Sequence, residues 1–173
     1  MSDETAAQDT GSRQVVVFEI GHEEYAAPIS QVREVVKTPK ITLVPNGQAF
    51  VVGVMNLRGQ IVPVLDLEKL FELPDAGTAT AQHIIVSEDG SHTLFGVQVD
   101  QVLEVLRVPP DTIKPTPAMV AARISADYLD GVVVLEGDDK TGQTGRTILL
   151  LNLQKIMSEK ALRQLTQEGS VSA

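Results

Sequence analysis

Short runs of valine, leucine and isoleucine, separated by residues that favour turns, dominate the hydrophobic pattern of this chain. Such runs, bounded by Gly, Pro, Asp or Asn, are typical of β-strands. Strands are predicted at 14–20, 25–28, 35–36, 41–44, 51–58, 60–66, 83–88, 92–99, 104–106, 131–136 and 146–151. Helical segments are predicted at 29–34, 67–72, 118–129 and, capped by Asn152, from 153 to about 167. The pattern therefore predicts a mostly β protein with about five short strands in each half.

The same order of residue types occurs twice along the chain. Residues 25–37 align without a gap with residues 95–107, and the matched pairs include Glu34 with Glu104. Further on, residues 65–71 resemble residues 151–157. A repeated order of similar segments predicts two similar structural units. Two units side by side create a seam that a partner can occupy, so the repeat favours a binding protein over an enzyme.

The two units are predicted to be intertwined and to meet near residues 74–81, a linker-like stretch. Residues 1–12 are small and polar, which predicts a disordered tail, and residues 169–173 are expected to fray. The folded part is thus predicted to span residues 13–168. Five short strands in a unit suit a small barrel, in which closure removes exposed sheet edges.

Composition narrows the classes of function. Apolar residues make up 43% of the 173 residues but aromatic residues only 3%, which predicts an aliphatic core. The net charge of −9 argues against nucleic-acid binding, which requires a basic surface. Cysteine is absent, which excludes disulfides and cysteine metal ligands. Neither a signal peptide nor an apolar run of transmembrane length is visible, so a soluble protein is expected.

Candidate catalytic or metal-binding groups are sparse. The three histidines, His22, His83 and His92, form no His-x-x-x-His pair, and two of them lie at predicted turns. The acidic stretch 136–139 lacks the spacing of a calcium loop and is interpreted as a solvated turn. The sequence therefore predicts neither a metal site nor a catalytic centre.

The loop at residues 137–145 comes close to a phosphate-binding motif. It matches G-x-x-x-x-G-K-[ST] except that Gln143 replaces the lysine, and Asp138 and Asp139 would repel phosphate. The flanking segments are predicted strands, so no helix N-terminus faces the loop. A degenerate enzyme that uses this loop is accordingly a weak alternative.

An apolar hairpin at residues 53–66 carries one arginine, Arg58, at its tip, followed by Gly59. Glycine suits a turn position with positive φ, and the arginine guanidinium is a rigid fork that suits a carboxylate or carbonyl. The second copy has Leu135-Glu136-Gly137 where the first has Leu57-Arg58-Gly59. A difference in charge at a matched position suggests that Arg58 serves something other than stability. A plain surface charge is the alternative.

These motifs together resemble the CheW family of chemotaxis coupling proteins. The resemblance covers about residues 14–160, and the Asn-Leu-Arg-Gly hairpin within its Gly-Val and Ile-Val-Pro frame is its most specific part. The residues that carry it are Tyr25–Val35, Pro45, Gly53–Asp66, Gly96–Val105, Ile113–Pro115, Tyr128–Gly131 and Leu150–Asn152. One departure is Asp100-Gln101, where many members have Asp-Gly.

The resemblance implies two five-stranded SH3-like β-barrel subdomains with short helices and a C-terminal helix. It implies a non-catalytic adaptor without a cofactor, which joins the cytoplasmic hairpin tips of methyl-accepting chemoreceptors to the regulatory domain of a CheA-type histidine kinase. The expected location is the cytoplasm, at membrane-bound receptor arrays, without insertion into the membrane and without nucleic acid. A small β-barrel that binds a ligand or nucleic acid is the alternative function.

The resemblance also implies two contact regions. The receptor-binding groove is expected to contain Val32, Glu34, Gly53, Arg58, Val86, Gly96 and Val102. The kinase contact is expected to involve Lys114, Pro115 and Met119. Glu34 and Arg58 are interpreted as polar clamps, and Gly53 as a place where the partner approaches closely. Burial in the core is the alternative for the valines, and a rigid linker is the alternative for residues 113–119.

Overall fold

The computed structural model of the protein describes residues 11–43, 50–72, 82–89, 91–121, 126–138, 140–142 and 144–158. Their strands are β1 Arg13–Ile20, β2 Glu23–Pro28, β3 Val32–Lys37, β4 Val51–Leu57, β5 Gln60–Leu65, β6 His83–Glu88, β7 Leu94–Val99, β8 Gln101–Val108, β9 Ile113–Lys114, β10 Leu129–Leu135 and β11 Arg146–Leu151. Their α-helices are α1 Leu67–Leu70, α2 Ala118–Ala121 and α3 Leu153–Ser158. Their 3-10 helices are Ile29–Gln31, Pro110–Thr112 and Ala126–Tyr128. The predicted class, mostly β with short helices, is confirmed.

The strands of the described residues form two sheets. The six-stranded sheet has the order β8-β1-β2-β11-β10-β9, and the five-stranded sheet has the order β3-β6-β7-β5-β4. The prediction of five strands in each unit is therefore correct for one of the two sheets. The other sheet gains β9, a two-residue strand that pairs with Val132 and Val133 of β10.

The chain crosses between the sheets twice, first at the 3-10 helix Ile29–Gln31 and again at Asp100. Two parallel pairings, β2 with β11 and β5 with β7, hold the distant segments together. Strand 83–88, which the sequence analysis assigned to the second unit, therefore belongs to the same sheet as β3, β4 and β5. The predicted boundary at 74–81 lies outside the described residues, and the strands on either side of it share one sheet.

The repeat seen in the sequence is present in the strand order. When the strand orders of the two sheets are aligned, the equivalent strands are β3 and β8, β6 and β1, β7 and β2, β5 and β11, and β4 and β10. The aligned residues Tyr25 and Phe95 are both buried, at equivalent places in β2 and β7. The prediction of two similar units is confirmed, although each unit is assembled from both halves of the chain.

Two equivalent glycines allow close backbone contacts beside β4 and β10. Gly53 has φ +159°, and a Cβ atom there would lie 2.2 Å from the carbonyl oxygen of Thr42. Gly131 has φ +147°, and a Cβ atom there would lie 2.7 Å from the carbonyl oxygen of Lys114. Thr42 and Val54 exchange two backbone hydrogen bonds of 2.8 Å and form an isolated β-bridge. Among the described residues, this bridge takes the place of the predicted strand 41–44.

The core is largely aliphatic, as predicted, and lies in three apolar clusters. One cluster is shared by the two sheets and helices α1 and α3, and each sheet has a smaller cluster of its own. Phe18, Tyr25, Phe71 and Tyr128 add a run of ring contacts with centroids 5.8–6.4 Å apart. The shared cluster fixes how the two sheets pack, because residues from both contribute to it.

Helices α1 and α3 begin at capping side chains, and the cap of α3, Asn152, is the predicted one. The side chain of Asp66 accepts hydrogen bonds from the first turn of α1, and Asn152 Oδ1 accepts one from the N–H of Lys155 in α3. The described part of α3 ends at Ser158, so its predicted extension to 167 lies outside the described residues. The predicted helix 118–129 is present as α2 and the 3-10 helix Ala126–Tyr128, and residues 122–125 between them lie outside the described residues.

Candidate partner-binding site

A shallow depression of about 560 Å³ opens on the five-stranded sheet, between β3, β6 and the β4–β5 turn. Its lining residues are Val32, Arg33, Glu34, Leu57, Arg58, Gln60, Val86 and Leu94. Four of the seven predicted groove residues are among them, namely Val32, Glu34, Arg58 and Val86. The structure thus brings together predicted groove residues from three separate segments, namely β3, the β4–β5 turn and β6.

The β4–β5 turn projects Arg58 over this depression. Arg58 and Gly59 have φ values of +48° and +87°, which is the conformation of a tight type I′ hairpin turn. Asn56 Oδ1 accepts a hydrogen bond of 2.8 Å from the N–H of Gly59 and fixes the turn. The Arg58 side chain is 73% exposed, so the turn presents a guanidinium to solvent at the rim of the depression.

Glu34 faces Arg58 from the opposite side of the depression. Its Oε2 atom lies 2.5 Å from Nη2 of Arg58, and its side chain is 28% exposed. Glu34 is in β3, and Arg58 directly follows β4, the other outer strand of the same sheet. The ion pair therefore links the two outer strands of the sheet. The two predicted clamps are bonded to each other, a contact that the sequence analysis did not foresee.

Gly53, Gly96 and Val102 do not line the depression. Gly53 is packed against the backbone of Thr42, where the two segments approach closely. Gly96 is buried, and a Cβ atom there would lie 2.6 Å from Ile84 Cγ2. Val102 is half-buried in the six-stranded sheet, against the shared core. Both glycines therefore accommodate atoms of their own chain, and a contact of any of the three with a partner stays a prediction.

The predicted kinase contact lies on the six-stranded sheet. Lys114 is in β9, the outer strand of that sheet, and Pro115 follows it; both are exposed. Met119 in α2 is 78% exposed, which is a large exposure for an apolar side chain. The described structure thus carries two exposed regions on different sheets, the depression and the segment Lys114–Met119.

Arg146 is a feature that the sequence analysis missed. It lies at the start of β11, where Nη2 is 2.5 Å from Glu24 Oε1 and Nη1 is 2.9 Å from Glu104 Oε2. The hydrogen bond with Glu24 is the main cause that raises the pKa of Arg146. Glu104 is the repeat equivalent of Glu34, so the same acidic position is paired in both copies. The sequence contains no motif that marks Arg146 itself; it contains only the match of Glu34 with Glu104, two aligned carboxylates that can each pair with a cation.

The histidines do not line the depression. His22 and His92 lie in turns with positive φ, and His92 Nδ1 contacts the carboxylate of Glu88. Among the described residues, no three His, Asp or Glu side chains are grouped so as to hold a metal ion. A helix with the length and hydropathy to cross a membrane is likewise not found in the described part of the chain.

Comparison with known proteins identifies the family. The family model for the CheW-like domain matches residues 14–161. The probable chemotaxis protein CheW of Rhizobium etli is 30% identical over 159 residues, which cover 92% of this chain and 96% of that protein. The chemotaxis protein CheW of Treponema pallidum is 29% identical over 157 residues, which cover 88% of this chain and 86% of that protein.

The fold agrees with the family assignment. The crystal structure of the scaffolding protein TtCheW from Thermoanaerobacter tengcongensis is similar, with a TM-score of 0.70 and 30% identity. The similarity covers 87% of this chain and 90% of that one. The alternative of a ligand- or nucleic-acid-binding barrel is not favoured. Matches in sequence and in fold over nearly the whole described chain show that it belongs to the CheW family and is a chemotaxis coupling adaptor.

Proposed function

We propose that this chain joins the cytoplasmic hairpin tip of a methyl-accepting chemoreceptor to the regulatory domain of a CheA-type histidine kinase, without catalysing a reaction. The observation that carries the proposal is the presence of two exposed regions on different sheets. An adaptor with this arrangement can hold two partners at once, because neither partner covers the region of the other. The working location would be the cytoplasm, beside arrays of membrane-bound receptors.

The depression suits the receptor. A helical hairpin tip requires an apolar surface with polar groups at its margin. Val32 and Leu57 are partly exposed in the depression, and Val86 packs beneath them with 1% of its surface exposed. Glu34 and Arg58 supply the charged margin. In this arrangement Gly53 and Gly96 act indirectly, by letting neighbouring segments of the chain pack closely behind the depression.

The segment Lys114–Met119 suits the kinase. Pro115 and Pro117 restrict the backbone, so that docking orders the segment at little entropic cost. Met119 offers an exposed and adaptable apolar side chain, and Lys114 adds a cation. β9 is short and lies at the edge of its sheet, where no described strand pairs with its outer side.

A three-component binding experiment tests the proposal. The purified chain is mixed with a soluble receptor-tip fragment and the kinase regulatory domain, and the mixture is separated by size exclusion. A complex that contains all three proteins is expected, together with a binary complex of the chain with each partner. Failure of either partner to bind the folded wild-type chain would show that the proposed function is wrong for that partner.

A further inference from the structure

The half-buried side chain of Gln31 lies where the chain leaves the six-stranded sheet and enters the five-stranded one. It ends the 3-10 helix between β2 and β3. Its backbone carbonyl accepts a hydrogen bond of 2.6 Å from the hydroxyl of Ser87, a fully buried residue of β6. Gln31 is thereby tied to the five-stranded sheet.

The side-chain amide of Gln31 is bonded in the other direction. Its Oε1 atom accepts a hydrogen bond of 2.8 Å from the N–H of Leu153, the first residue of α3. Its Nε2 atom donates to Oδ1 of Asn152 at 3.2 Å. Because α3 directly follows β11, both bonds attach Gln31 to the six-stranded sheet.

Asn152 extends the network to β10. Its backbone N–H donates to the carbonyl of Tyr128 at 2.8 Å, and its Nδ2 atom lies 3.3 Å from Oδ2 of Asp130 in β10. β10 carries β9, where Val132 pairs with Lys114. A continuous series of hydrogen bonds therefore runs from β6 through Gln31 and Asn152 to the strand that supports the segment Lys114–Met119.

The other end of the series lies at the depression. Val32 follows Gln31 and Val86 precedes Ser87, and both valines line the depression. The bonds that Gln31 makes with Ser87, Asn152 and Leu153 are part-buried, whereas the bond between Asn152 and Asp130 is exposed. Contiguous hydrogen bonds can carry energetic coupling between sites. The network thus has the connectivity to relate the two exposed regions.

The repeat supplies a comparison within the same molecule. Gln101 is the equivalent of Gln31 in the second copy, at the crossing from β7 to β8. It is exposed, and its Nε2 atom lies 3.4 Å from Oε1 of Glu19 on the surface. Burial and bonding to both sheets are therefore properties of Gln31 and do not follow from the repeated position alone.

We propose that Gln31 is a positioning residue that couples occupancy of the depression to binding at the segment Lys114–Met119. The inference rests on the proposed function, because it requires a partner at each region. Gln31 touches neither partner in this scheme. It acts by holding α3 and β10 in a fixed relation to β3 and β6.

The test measures the affinity of the chain for the receptor-tip fragment with and without saturating kinase regulatory domain. For the wild type, the two dissociation constants should differ by about fivefold or more, a typical allosteric coupling. In Gln31→Ala this ratio should fall to about one, while each binary affinity changes by less than about threefold. Gln101→Ala, the matched control, should keep the wild-type ratio.

A second variant and a second measurement guard against a folding defect. Gln31→Glu keeps the acceptor for Leu153 but replaces the donor to Asn152, so the ratio should fall between those of wild type and Gln31→Ala. Amide exchange at Leu153 should accelerate in Gln31→Ala and stay unchanged in Gln101→Ala.

A wild-type ratio of one, an unchanged ratio in Gln31→Ala, or loss of binary binding in that variant would each overturn the inference. If the wild-type chain binds neither partner, the proposed function itself fails.

Discussion

Arg58 and Glu34 are bonded across the five-stranded sheet, with Nη2 of the arginine 2.5 Å from Oε2 of the glutamate. The two residues belong to strands that share no hydrogen bond, because β3 and β4 lie at opposite ends of the strand order. Exposed ion pairs of this kind contribute about 0–1 kcal/mol to stability. The pair therefore orients Arg58 at the margin of the depression more than it stabilises the fold.

Arg58→Ala should leave the melting temperature nearly unchanged and sharply weaken binding of the receptor-tip fragment. Truncating one member of a desolvated interfacial charge pair costs on the order of 2–5 kcal/mol of binding free energy. Arg58→Lys should restore only part of the affinity, because lysine keeps the charge but lacks the planar fork. Isothermal titration calorimetry measures both, with the exposed Arg13→Ala as the control. Full recovery of affinity in Arg58→Lys would show that Arg58 acts only through its charge. A large loss of stability in Arg58→Ala would show that the ion pair with Glu34 is structural.

Arg146→Ala should destabilise the fold more than Arg58→Ala does. Arg146 is 32% exposed and is hydrogen-bonded to two carboxylates on separate strands, whereas Arg58 is 73% exposed and has one such bond. Hydrogen bonds to charged groups contribute about 1.5–3 kcal/mol, so the free energy of unfolding should fall by about that amount. Urea denaturation of the two variants side by side provides the comparison. Equal losses would contradict the difference in burial on which the prediction depends.

Gly53→Ala should destabilise the protein strongly, by about 1–3 kcal/mol for backbone strain and more for the displaced Thr42 bridge. Gly59→Ala is the matched control, because Gly59 also has positive φ but a Cβ atom there would meet no described residue within 4 Å apart from its two chain neighbours. Its loss should be limited to about 1 kcal/mol. Thermal melts of both variants measure the two losses of stability. A Gly53→Ala variant as stable as Gly59→Ala would contradict the close approach of Gly53 to the backbone of Thr42. Gly53→Asp, for the same reason, tests folding together with docking.

Met119→Glu should abolish or greatly weaken binding of the kinase regulatory domain without affecting the fold. Met119 is 78% exposed, so a charged replacement costs little in the free chain, whereas loss of a central apolar contact typically costs about 2 kcal/mol or more of binding free energy. Val105→Glu, on an exposed position of β8, is the control for added negative charge. Unchanged binding of the kinase regulatory domain by Met119→Glu would show that residues 113–119 are only a rigid linker.

Asp100→Asn should stabilise the protein increasingly as the pH rises above the ordinary carboxyl pKa of 3.8. Burial raises the pKa of Asp100, and the carboxylates of Glu19 and Asp66 raise it further, against the hydrogen bond from the N–H of Gly21. A raised folded-state pKa favours the protonated form, so the wild type loses stability as the pH rises through that pKa, while asparagine does not.

The measurement for Asp100→Asn is the difference in melting temperature from wild type at several pH values between about 4 and 7. The difference should be smallest at the acid end, grow as the pH rises through the raised pKa of Asp100, and then level off. Asp111→Asn, at an exposed carboxylate, is the control. A difference that shrinks with rising pH would show that the carboxylate of Asp100 is stabilised in the folded protein.

The sequence predicted turns and caps well and the assembly of the sheets poorly. The predicted helical segment 29–34 was wrong beyond Gln31, because β3 begins at Val32. Turn residues and caps such as Gly59 and Asp66 act on neighbouring backbone, so their effects are visible in a short window of sequence. Membership of β6 in the five-stranded sheet depends on pairing with β3 and β7 and, through β7, with β5. A local pattern of apolar residues does not encode such partners, and the hydrophobic alternation of the strands is the same in either sheet.

The sequence predicted only part of the candidate site, because contacts between residues that are distant in the chain depend on how the strands assemble. Glu34 and Arg58 were expected at the site because of their motif, yet their mutual bond depends on how β3 and β4 approach each other. Gly53 was interpreted as a place where the partner approaches closely, but a glycine that makes room for a partner and one that makes room for its own chain look alike in sequence. Arg146 lies in a segment without a recognisable motif, and only the three-dimensional pairing with Glu24 and Glu104 gives it a role.

The parallel pairing of Tyr25 with Leu149 has a consequence for biosynthesis. The first hairpin leaves the ribosome early, but one edge of β2 has no strand to pair with until β11 has been synthesised. Domains usually fold as they emerge, and long-range pairing delays that step. The newborn chain therefore exposes an unpaired edge of β2, at Tyr25 and Ala26, for most of its translation. Its yield in the cell should depend on chaperone capacity more than the stability of the finished protein suggests.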